Sequence, residues 1–139
     1  MSFNPTNGGL LVVEDNLELW LLLKDALSLA LPEIEVVHAS TAQVTLRYLY
    51  CIGDEEYLPQ LILQDLYLPQ RSDGINLLDQ LKQIDSPYWQ IPVAIMSKFS
   101  DPDDIVDVYH LGADTYLVKP TSMDDWIACL RGLRSYWNV

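Results

Sequence analysis

Two kinds of hydrophobic pattern take turns along this chain. Five short apolar runs are typical of buried strands, and they cover residues 10–14, 34–39, 61–65, 91–97 and 115–118. Apolar residues at helical spacing follow each run and predict helices over 17–30, 40–51, 75–84 (after a 69–74 loop), 101–112 and 123–137. Local signals agree, because Ser40 and Gln43 match a capping box and Asp101 precedes a proline as an N-cap would.

Five strands that alternate with five helices predict an α/β fold, a three-layer sandwich with right-handed crossovers. The first, third and fourth strands are so apolar that we expect helices on both of their faces. Residues 1–9 are polar and contain glycine, proline and asparagine, so they are expected to form a flexible N-terminus ahead of one domain.

Composition narrows the class of protein. The chain has 139 residues and a net charge of −12, with eight basic side chains against twenty acidic ones. So few basic residues cannot neutralise a phosphate backbone, and we expect no direct contact with nucleic acid. The most apolar stretch, 17–31, is short and carries three charges, and no signal peptide opens the chain, so we expect no membrane contact. Cys51 and Cys129 are expected to be reduced and inert in a cytoplasmic protein.

Polar side chains that could bind a ligand or take part in a reaction stand at the ends of four of the predicted strands. Glu14 and Asp15 close the first strand, Asp65 closes the third, Ser97 closes the fourth, and Lys119 follows the fifth. The carboxyl ends of parallel strands form the ligand crevice of an open sheet. We therefore expect three carboxylates, a hydroxyl and an ammonium to meet at one edge.

This combination of groups suits phosphoryl transfer onto Asp65. Clustered carboxylates repel one another unless a cation neutralises them, and oxygen-rich sites suit Mg²⁺. A metal and Lys119 can neutralise charge on a transferred phosphoryl group, and the Ser97 hydroxyl can hydrogen-bond its oxygens.

At these residues the chain resembles the receiver family of two-component signalling, over nearly its whole length from Leu10 onward. The resemblance lies in the segments 12–15, 61–69 with Gly74, the apolar run that ends at Ser97, and 112–120. It implies a flavodoxin-like (βα)5 sandwich with strand order 2-1-3-4-5, and a receiver domain over residues 10–139.

The resemblance also implies a role for each site residue. Asp65 would be the phosphoacceptor, Ser97 and Lys119 would bind the phosphoryl group, and Tyr116 stands at the position of an aromatic switch. Mg²⁺ or Mn²⁺ would be held by Glu14, Asp15, Asp65 and the backbone carbonyl of Tyr67. Lys119–Pro120 takes the place of a bond that is often cis in this family.

A receiver is a signalling switch and not a true enzyme, since it catalyses only its own phosphorylation and dephosphorylation. Its partners would be a sensor histidine kinase or phosphotransfer protein, an unidentified downstream protein, and a second copy in a homodimer. The first helix is where kinases often dock, and its apolar residues off the sheet-facing stripe are Leu17, Trp20, Leu21 and Leu31. Some apolar residues of the last helix must cover the sheet, and the remainder would form the dimer face with the fourth helix and the fifth strand. The candidates are Trp126, Ile127, Leu130, Leu133, Tyr136 and Trp137.

Other interpretations stay open. Asp15 also suits the N-cap of the first helix, and Asp65 alone suits a turn. His38 and His110 are interpreted as structural or surface residues. An aspartyl-phosphate hydrolase needs a second carboxylate two residues after the nucleophile, where this chain has Tyr67. A receiver-like scaffold that acts by protein contacts without phosphorylation is the alternative function.

The chain departs from the family pattern beside the site. Gln64 replaces an apolar residue and is not expected to touch the chemistry. Lys98 stands where the family usually has a small residue, which keeps the scaffold alternative in view. Tyr67 and Phe99 occupy the positions that tune hydrolysis in the family. We hypothesise that two aromatic rings there exclude water and prolong the phosphorylated state.

Overall fold

The five apolar runs form one parallel sheet in the computed structural model, which describes residues 8–53 and 57–137. The strands are β1 (Leu10–Val13), β2 (Val36–Ala39), β3 (Leu61–Asp65), β4 (Val93–Ser97) and β5 (Thr115–Val118). Their order is β2-β1-β3-β4-β5, and every adjacent pair is parallel. The α/β class, the flavodoxin-like architecture and the strand order are confirmed.

Helices cover both faces of this sheet. They are α1 (Leu17–Ala30), α2 (Ala42–Ile52), α3 (Arg71–Lys82), α4 (Pro102–His110) and α5 (Met123–Arg131), and a 3-10 helix over Gly132–Trp137 follows α5. Four of them begin at a side chain that accepts a hydrogen bond from the first turn, namely Asn16, Thr41, Asp101 and Ser122. Such caps satisfy backbone donors that the helix itself leaves free.

Alternation along β1 divides the core into two layers. Leu11 and Val13 face the layer under α2, α3 and α4, while Leu10 and Val12 face the layer under α1 and α5. All four side chains are buried, which explains why β1 reads as a continuous apolar run. A large side chain buried in this way contributes about 1.5–3 kcal/mol to the free energy of unfolding.

Three helix boundaries differ from the sequence prediction in ways that bear on the site or the core. The N-cap of α2 is Thr41, whose Oγ1 accepts the Val44 N–H at 3.0 Å, so the predicted box at Ser40 is one residue early. α3 begins before Gly74 and not after it. α5 gives way to a 3-10 helix at Gly132, where a continuous helix was expected.

The first and last described residues, Gly8 and Trp137, meet at the amino edge of the sheet. Trp137 Nε1 donates to the Gly8 carbonyl at 3.2 Å, and Arg134 Nη2 donates to the Ala30 carbonyl at 2.9 Å at the end of α1. Gly9 is also held, because its carbonyl accepts the Gln60 N–H at 2.8 Å. The flexible N-terminus expected over 1–9 falls mostly on residues 1–7, which lie outside the described residues.

The outer face of α1 is partly as expected. Leu17 is 65% exposed and Leu21 is 49% exposed, but Leu31 is buried, so its assignment to the exposed face was wrong. Leu31 follows the last turn of α1 and packs into the core with Ala30. Trp20 stacks on His38 with ring centroids 4.2 Å apart.

None of the helices in the described ranges combines the length and the apolar character that a membrane crossing needs.

Candidate functional site

A lysine joins two buried carboxylates at the carboxyl edge of the sheet. Lys119 Nζ lies 2.9 Å from Asp65 Oδ2 and 3.2 Å from Glu14 Oε1. Glu14 is 1% exposed and Asp65 is 4% exposed, so little water screens these charges. Lys119 follows β5, where its own N–H donates to the Ser97 carbonyl at 2.8 Å, and its side chain extends past the end of β4 to reach Asp65.

Backbone donors fix the second oxygen of each carboxylate. Glu14 Oε2 accepts the Asn16 N–H at 3.0 Å, and Asp65 Oδ1 accepts the Tyr67 N–H at 3.1 Å. Both bonds follow from the sharp turns by which the chain leaves β1 and β3. Each carboxylate is therefore oriented toward the other by the loop that carries it.

Asp15 completes a cluster that can hold a metal ion. One carboxylate oxygen from each of Glu14, Asp15 and Asp65 lies within 4.8 Å of the others. Asp15 is exposed at the mouth of the site, while the other two lie beneath it. Three carboxylates against the ammonium of Lys119, which contacts two of them, leave two formal negative charges. A hard divalent cation with oxygen ligands fits both that charge and that donor set.

The pKa of Glu14 reflects this crowding of buried carboxylates. Burial, and next to it the negative charge of Asp65, raise the pKa of Glu14 from 4.5 to about 7. Lys119 and the Asn16 N–H act in the opposite direction but do not restore the ordinary value. At neutral pH this carboxyl is therefore poised between its neutral and its charged form.

Ser97 and Tyr116 hold the loop between β4 and α4. Ser97 is fully buried, and its Oγ accepts the Phe99 N–H at 3.1 Å. The Tyr116 hydroxyl donates to the Phe99 carbonyl at 2.6 Å. Burial raises the pKa of Tyr116, so its hydroxyl stays protonated as this bond requires. Two residues that the sequence placed on different strands thus grip the same loop.

The three remaining residues singled out beside the site line or border the same cleft. Tyr67 and Phe99 meet edge to face, with ring centroids 5.6 Å apart at 67°. Tyr67 and the exposed Lys98 line a cleft of about 530 Å³ together with the carboxylates and Lys119. Its floor includes Trp126, which is 2% exposed. The structure therefore brings every residue of the expected site to one edge of the sheet.

The expectation for the Lys119–Pro120 bond was wrong. In the described residues the cis peptide bond is Leu68–Pro69, in the loop that follows Asp65 and Tyr67. Any bond that precedes a proline has only a small preference for trans, so the sequence alone does not identify which proline is cis.

Two residues near the site make contacts that the sequence did not predict. Gln64, noted in the sequence only as a departure from an apolar pattern, has its Nε2 3.4 Å from the Asp65 backbone carbonyl and 2.9 Å from that of Gly74. Arg71 Nε donates to Asp104 at 2.7 Å and Nη2 donates to Asp107 at 2.6 Å, which ties the start of α3 to α4. No local pattern announces such pairs. The only signal for Gln64 was a polar residue in an otherwise apolar run.

His38 has a structural role, as interpreted from the sequence. Its Nε2 lies 2.8 Å from the Glu14 carbonyl, and a carbonyl can only accept, so this nitrogen carries the proton. The stack on Trp20 fixes the ring plane. The contact secures the backbone of Glu14 from the side of β2.

Comparison with known proteins points to one family. The sequence profile of the response regulator receiver domain matches residues 10–131. The response regulator Rcp1 of Synechocystis is 28% identical over 130 residues, which are 92% of this chain and 87% of Rcp1. The transcriptional regulatory protein KdpE of Mycobacterium tuberculosis is 32% identical over 121 residues, 87% of this chain but only 48% of KdpE. This chain thus spans most of Rcp1 and about half of KdpE.

Solved structures agree with these sequence relatives. The phosphorylated cyanobacterial phytochrome response regulator RcpA is 28% identical, with a TM-score of 0.77 over 94% of both chains. A response regulator in red light signaling of R. palustris is 28% identical, with a TM-score of 0.79 over 94% of both chains. The Mn²⁺-bound form of Rcp1 is 28% identical, with a TM-score of 0.74 over 92% of both chains.

Proposed function

This chain belongs to the response regulator receiver domain family, and we propose that Asp65 is its phosphoacceptor. The observation that carries the proposal is the pair of contacts from Lys119 to Asp65 and Glu14. It supports a site that holds a nucleophilic carboxylate ready beside a fixed positive charge. The complete acidic site speaks against the alternative of a scaffold that works without phosphorylation.

In the proposed reaction, a carboxylate oxygen of Asp65 attacks the phosphorus atom of the donor. The new O–P bond forms as the bond to the leaving group breaks, and the electrons of that bond depart with the leaving group. Lys119 offsets the negative charge of the transferred phosphoryl group. The Ser97 hydroxyl accepts from Phe99 N–H in the structure and keeps its own proton to donate to a phosphoryl oxygen.

The proposed cofactor is Mg²⁺, with Mn²⁺ as a substitute. The fit rests on the close carboxylate oxygens of Glu14, Asp15 and Asp65, and the Tyr67 carbonyl would complete the protein ligands. A bound divalent cation would neutralise charge on the phosphoryl oxygens. Binding of Mn²⁺ by the related Rcp1 supports a divalent metal here.

The signal would leave through the loop that Ser97 and Tyr116 share. If Ser97 turns toward a phosphoryl group, it gives up its bond to Phe99 N–H, and Tyr116 follows the Phe99 carbonyl. This movement would alter the surface of α4 and β5. The exposed side chains of Val106, Tyr109 and Val118 lie on those elements.

The central test is phosphorylation of the purified protein. Incubation with acetyl phosphate and Mg²⁺ should add one phosphoryl group, as measured by intact mass. The adduct should be absent in Asp65→Asn and retained in Asp25→Asn, an exposed carboxylate of α1 that serves as the matched control. An adduct that persists in Asp65→Asn, or no adduct with any phosphodonor, would refute the proposal.

Tyr67, Lys98 and Phe99 are proposed to set the rates of this site. The edge-to-face contact of Tyr67 and Phe99 supports a shield against water, and we propose a long-lived phosphorylated state. Lys98 at the rim would slow phosphodonor approach through its bulk. Loss of phosphate should speed up in Tyr67→Asn with Phe99→Glu. If phosphate is lost within seconds from the wild type and the double variant changes nothing, the shield does not exist.

The proposed phosphodonor is a sensor histidine kinase or phosphotransfer protein that docks on α1. The proposed location of this encounter is the cytoplasm. Leu17 and Leu21 are exposed there, so Leu21→Glu should weaken phosphotransfer while acetyl phosphate still works. Two similar proteins act in phytochrome or red light signaling, which makes a phytochrome-type kinase the first donor to try.

A homodimer over α4, β5 and α5 is the proposed second partner contact. The structure narrows this face, because Trp126, Leu130 and Leu133 of the last helical segments are buried in the core. Val106→Glu should then abolish any dimer seen by light scattering with an acyl-phosphate mimic. A protein that stays monomeric with and without the mimic would exclude this face.

A further inference from the structure

One amide lies inside an apolar layer directly below the phosphoacceptor. Gln64 is fully buried on β3, and its register partners on the neighbouring strands are Val13 and Ile95. Both belong to the apolar layer under α3, as does Ile62 two residues before on the same face. A polar side chain in such surroundings costs free energy unless its hydrogen bonds are made.

Only half of this amide is satisfied. Its Nε2 donates to the Gly74 carbonyl at 2.9 Å and lies 3.4 Å from the Asp65 carbonyl, while its Oε1 is buried without a partner in the described part of the chain. Exchanging the two ends of the amide would set its oxygen against both carbonyls, so the donor must stand where it does. Stability alone would favour an apolar residue of the same length.

The bonds of Gln64 connect β3 to α3 around the turn that carries the site. Gly74 presses on that turn so closely that a Cβ there would lie 1.7 Å from the Leu66 carbonyl oxygen. Leu66 stands between Asp65 and Tyr67, whose N–H fixes Asp65 Oδ1. The amide thus reaches the backbone of the phosphoacceptor on one side and the first turn of α3 on the other.

We propose that Gln64 is a positioning residue, which holds the Asp65–Tyr67 turn in the geometry that metal binding and phosphorylation require. The inference rests on the proposed function of Asp65 and assigns part of its preorganisation to a residue that touches neither metal nor phosphate. The buried oxygen without a partner lowers the free energy of unfolding, and the chain retains it because the amide holds this geometry.

The test replaces the amide by a side chain of equal length without polar atoms. Gln64→Met should raise the melting temperature by roughly 3 °C, because a buried unpaired oxygen is removed. The same variant should lower the Mg²⁺ affinity and the rate of phosphorylation by acetyl phosphate about tenfold, as loss of an outer support of a metal site does. Titration calorimetry gives the affinity without any phosphorylation, and intact mass gives the rate.

Ile62→Met is the matched control, since it changes the same face of the same strand one step further from the site. It should leave Mg²⁺ affinity and rate within about twofold of the wild type, because it breaks no hydrogen bond to the turn. Gln64→Leu should show the same combination of a higher melting temperature, weaker Mg²⁺ affinity and slower phosphorylation as Gln64→Met. Agreement between the two variants separates loss of the amide from any effect specific to methionine packing.

The outcomes separate cleanly. Affinity and rate within twofold of the wild type in Gln64→Met overturn the positioning role, and so does an equal loss in Ile62→Met. A Gln64→Met protein that is both less stable and less active also overturns it, because the residue is then merely structural. A wild type that takes no phosphate refutes the proposed function instead, and the Mg²⁺ titrations still decide the role of Gln64.

Discussion

Lowering the pH should weaken divalent metal binding by an amount that Glu14 sets. A metal needs the carboxylate form of its ligands, so a proton on Glu14 competes with it. The pKa of Glu14 is raised from 4.5 to about 7, because the side chain is buried beside Asp65. Protonation of this one group therefore falls near neutral pH, well above the range in which an ordinary carboxyl titrates.

The size of the effect follows from this pKa. For one competing proton, the apparent Kd for Mg²⁺ should be about 30-fold higher at about pH 5.5 than at its alkaline limit, and about twofold higher at about pH 7. Binding at about pH 7 should release about half a proton per metal, and almost none at about pH 9. A carboxyl with its ordinary pKa of 4.5 would change the affinity by only about 10% over the same range.

Calorimetry of chelator-treated protein measures both quantities, with the proton release obtained from buffers of different ionisation enthalpy. Glu14→Gln is the matched variant, since it keeps the shape and cannot take up the proton. It should bind Mg²⁺ more weakly but with little dependence on pH. The reasoning would be refuted if the apparent Kd for Mg²⁺ of the wild type changed by less than about threefold between about pH 8 and 5.5. It would also be refuted if the Kd of Glu14→Gln depended on pH as strongly as that of the wild type.

The remaining predictions concern stability. Without metal, the free energy of unfolding should fall by at most about 3 kcal/mol as the pH rises from about 4.5 through 7, because Glu14 is protonated more readily in the folded than in the unfolded state, and added Mg²⁺ should oppose this loss. Arg71→Met should cost about 2 kcal/mol in urea unfolding, since it leaves the buried carboxylate of Asp104 unpaired. Gly74→Ala should cost about 3 kcal/mol or more, because the added Cβ meets the Leu66 carbonyl.

Matched controls exist for these stability changes. Asp107→Ala removes the exposed arm of the Arg71 contact and should cost less than about 1 kcal/mol. Gly132→Ala adds a Cβ with nothing within 4 Å and should be neutral or slightly stabilising. Equal costs in variant and control would contradict the account of burial and close approach. A metal-free protein whose stability is flat or rises over that pH range would contradict the account of Glu14.

The site could be predicted from the sequence because parallel strands bring their carboxyl ends together. Glu14, Asp65 and Lys119 lie 51 or more positions apart in sequence, but each stands just beyond or at the end of an apolar run. The bounds of α1, β3 and β5 were also predicted as observed, since apolar pattern and flanking polar residues agree there. Where local chemistry and tertiary structure point the same way, the sequence is sufficient.

Prediction failed where tertiary contact outweighs local preference. Gly74 looks like a loop residue, yet it lies in α3. A glycine is needed there because α3 comes so close to Leu66 that there is no room for a Cβ. Leu31 looks like part of the exposed face of α1 until the end of the helix turns it inward. The partners of Arg71 lie 33 and 36 residues away, and no period in the sequence connects them.

The hydrogen bond between Trp137 and Gly8 has a consequence for engineering. It brings residues 8 and 137 into contact at the amino edge of the sheet, while the acidic site lies at the carboxyl edge. A short linker could therefore join these positions in a circularly permuted protein, with new ends opened at Gly53, where an added Cβ would have no atom within 4 Å. A pair of fluorophores at the new ends, close to α2, would then report on the regulator from a position that leaves α1, α4 and β5 free for its partners.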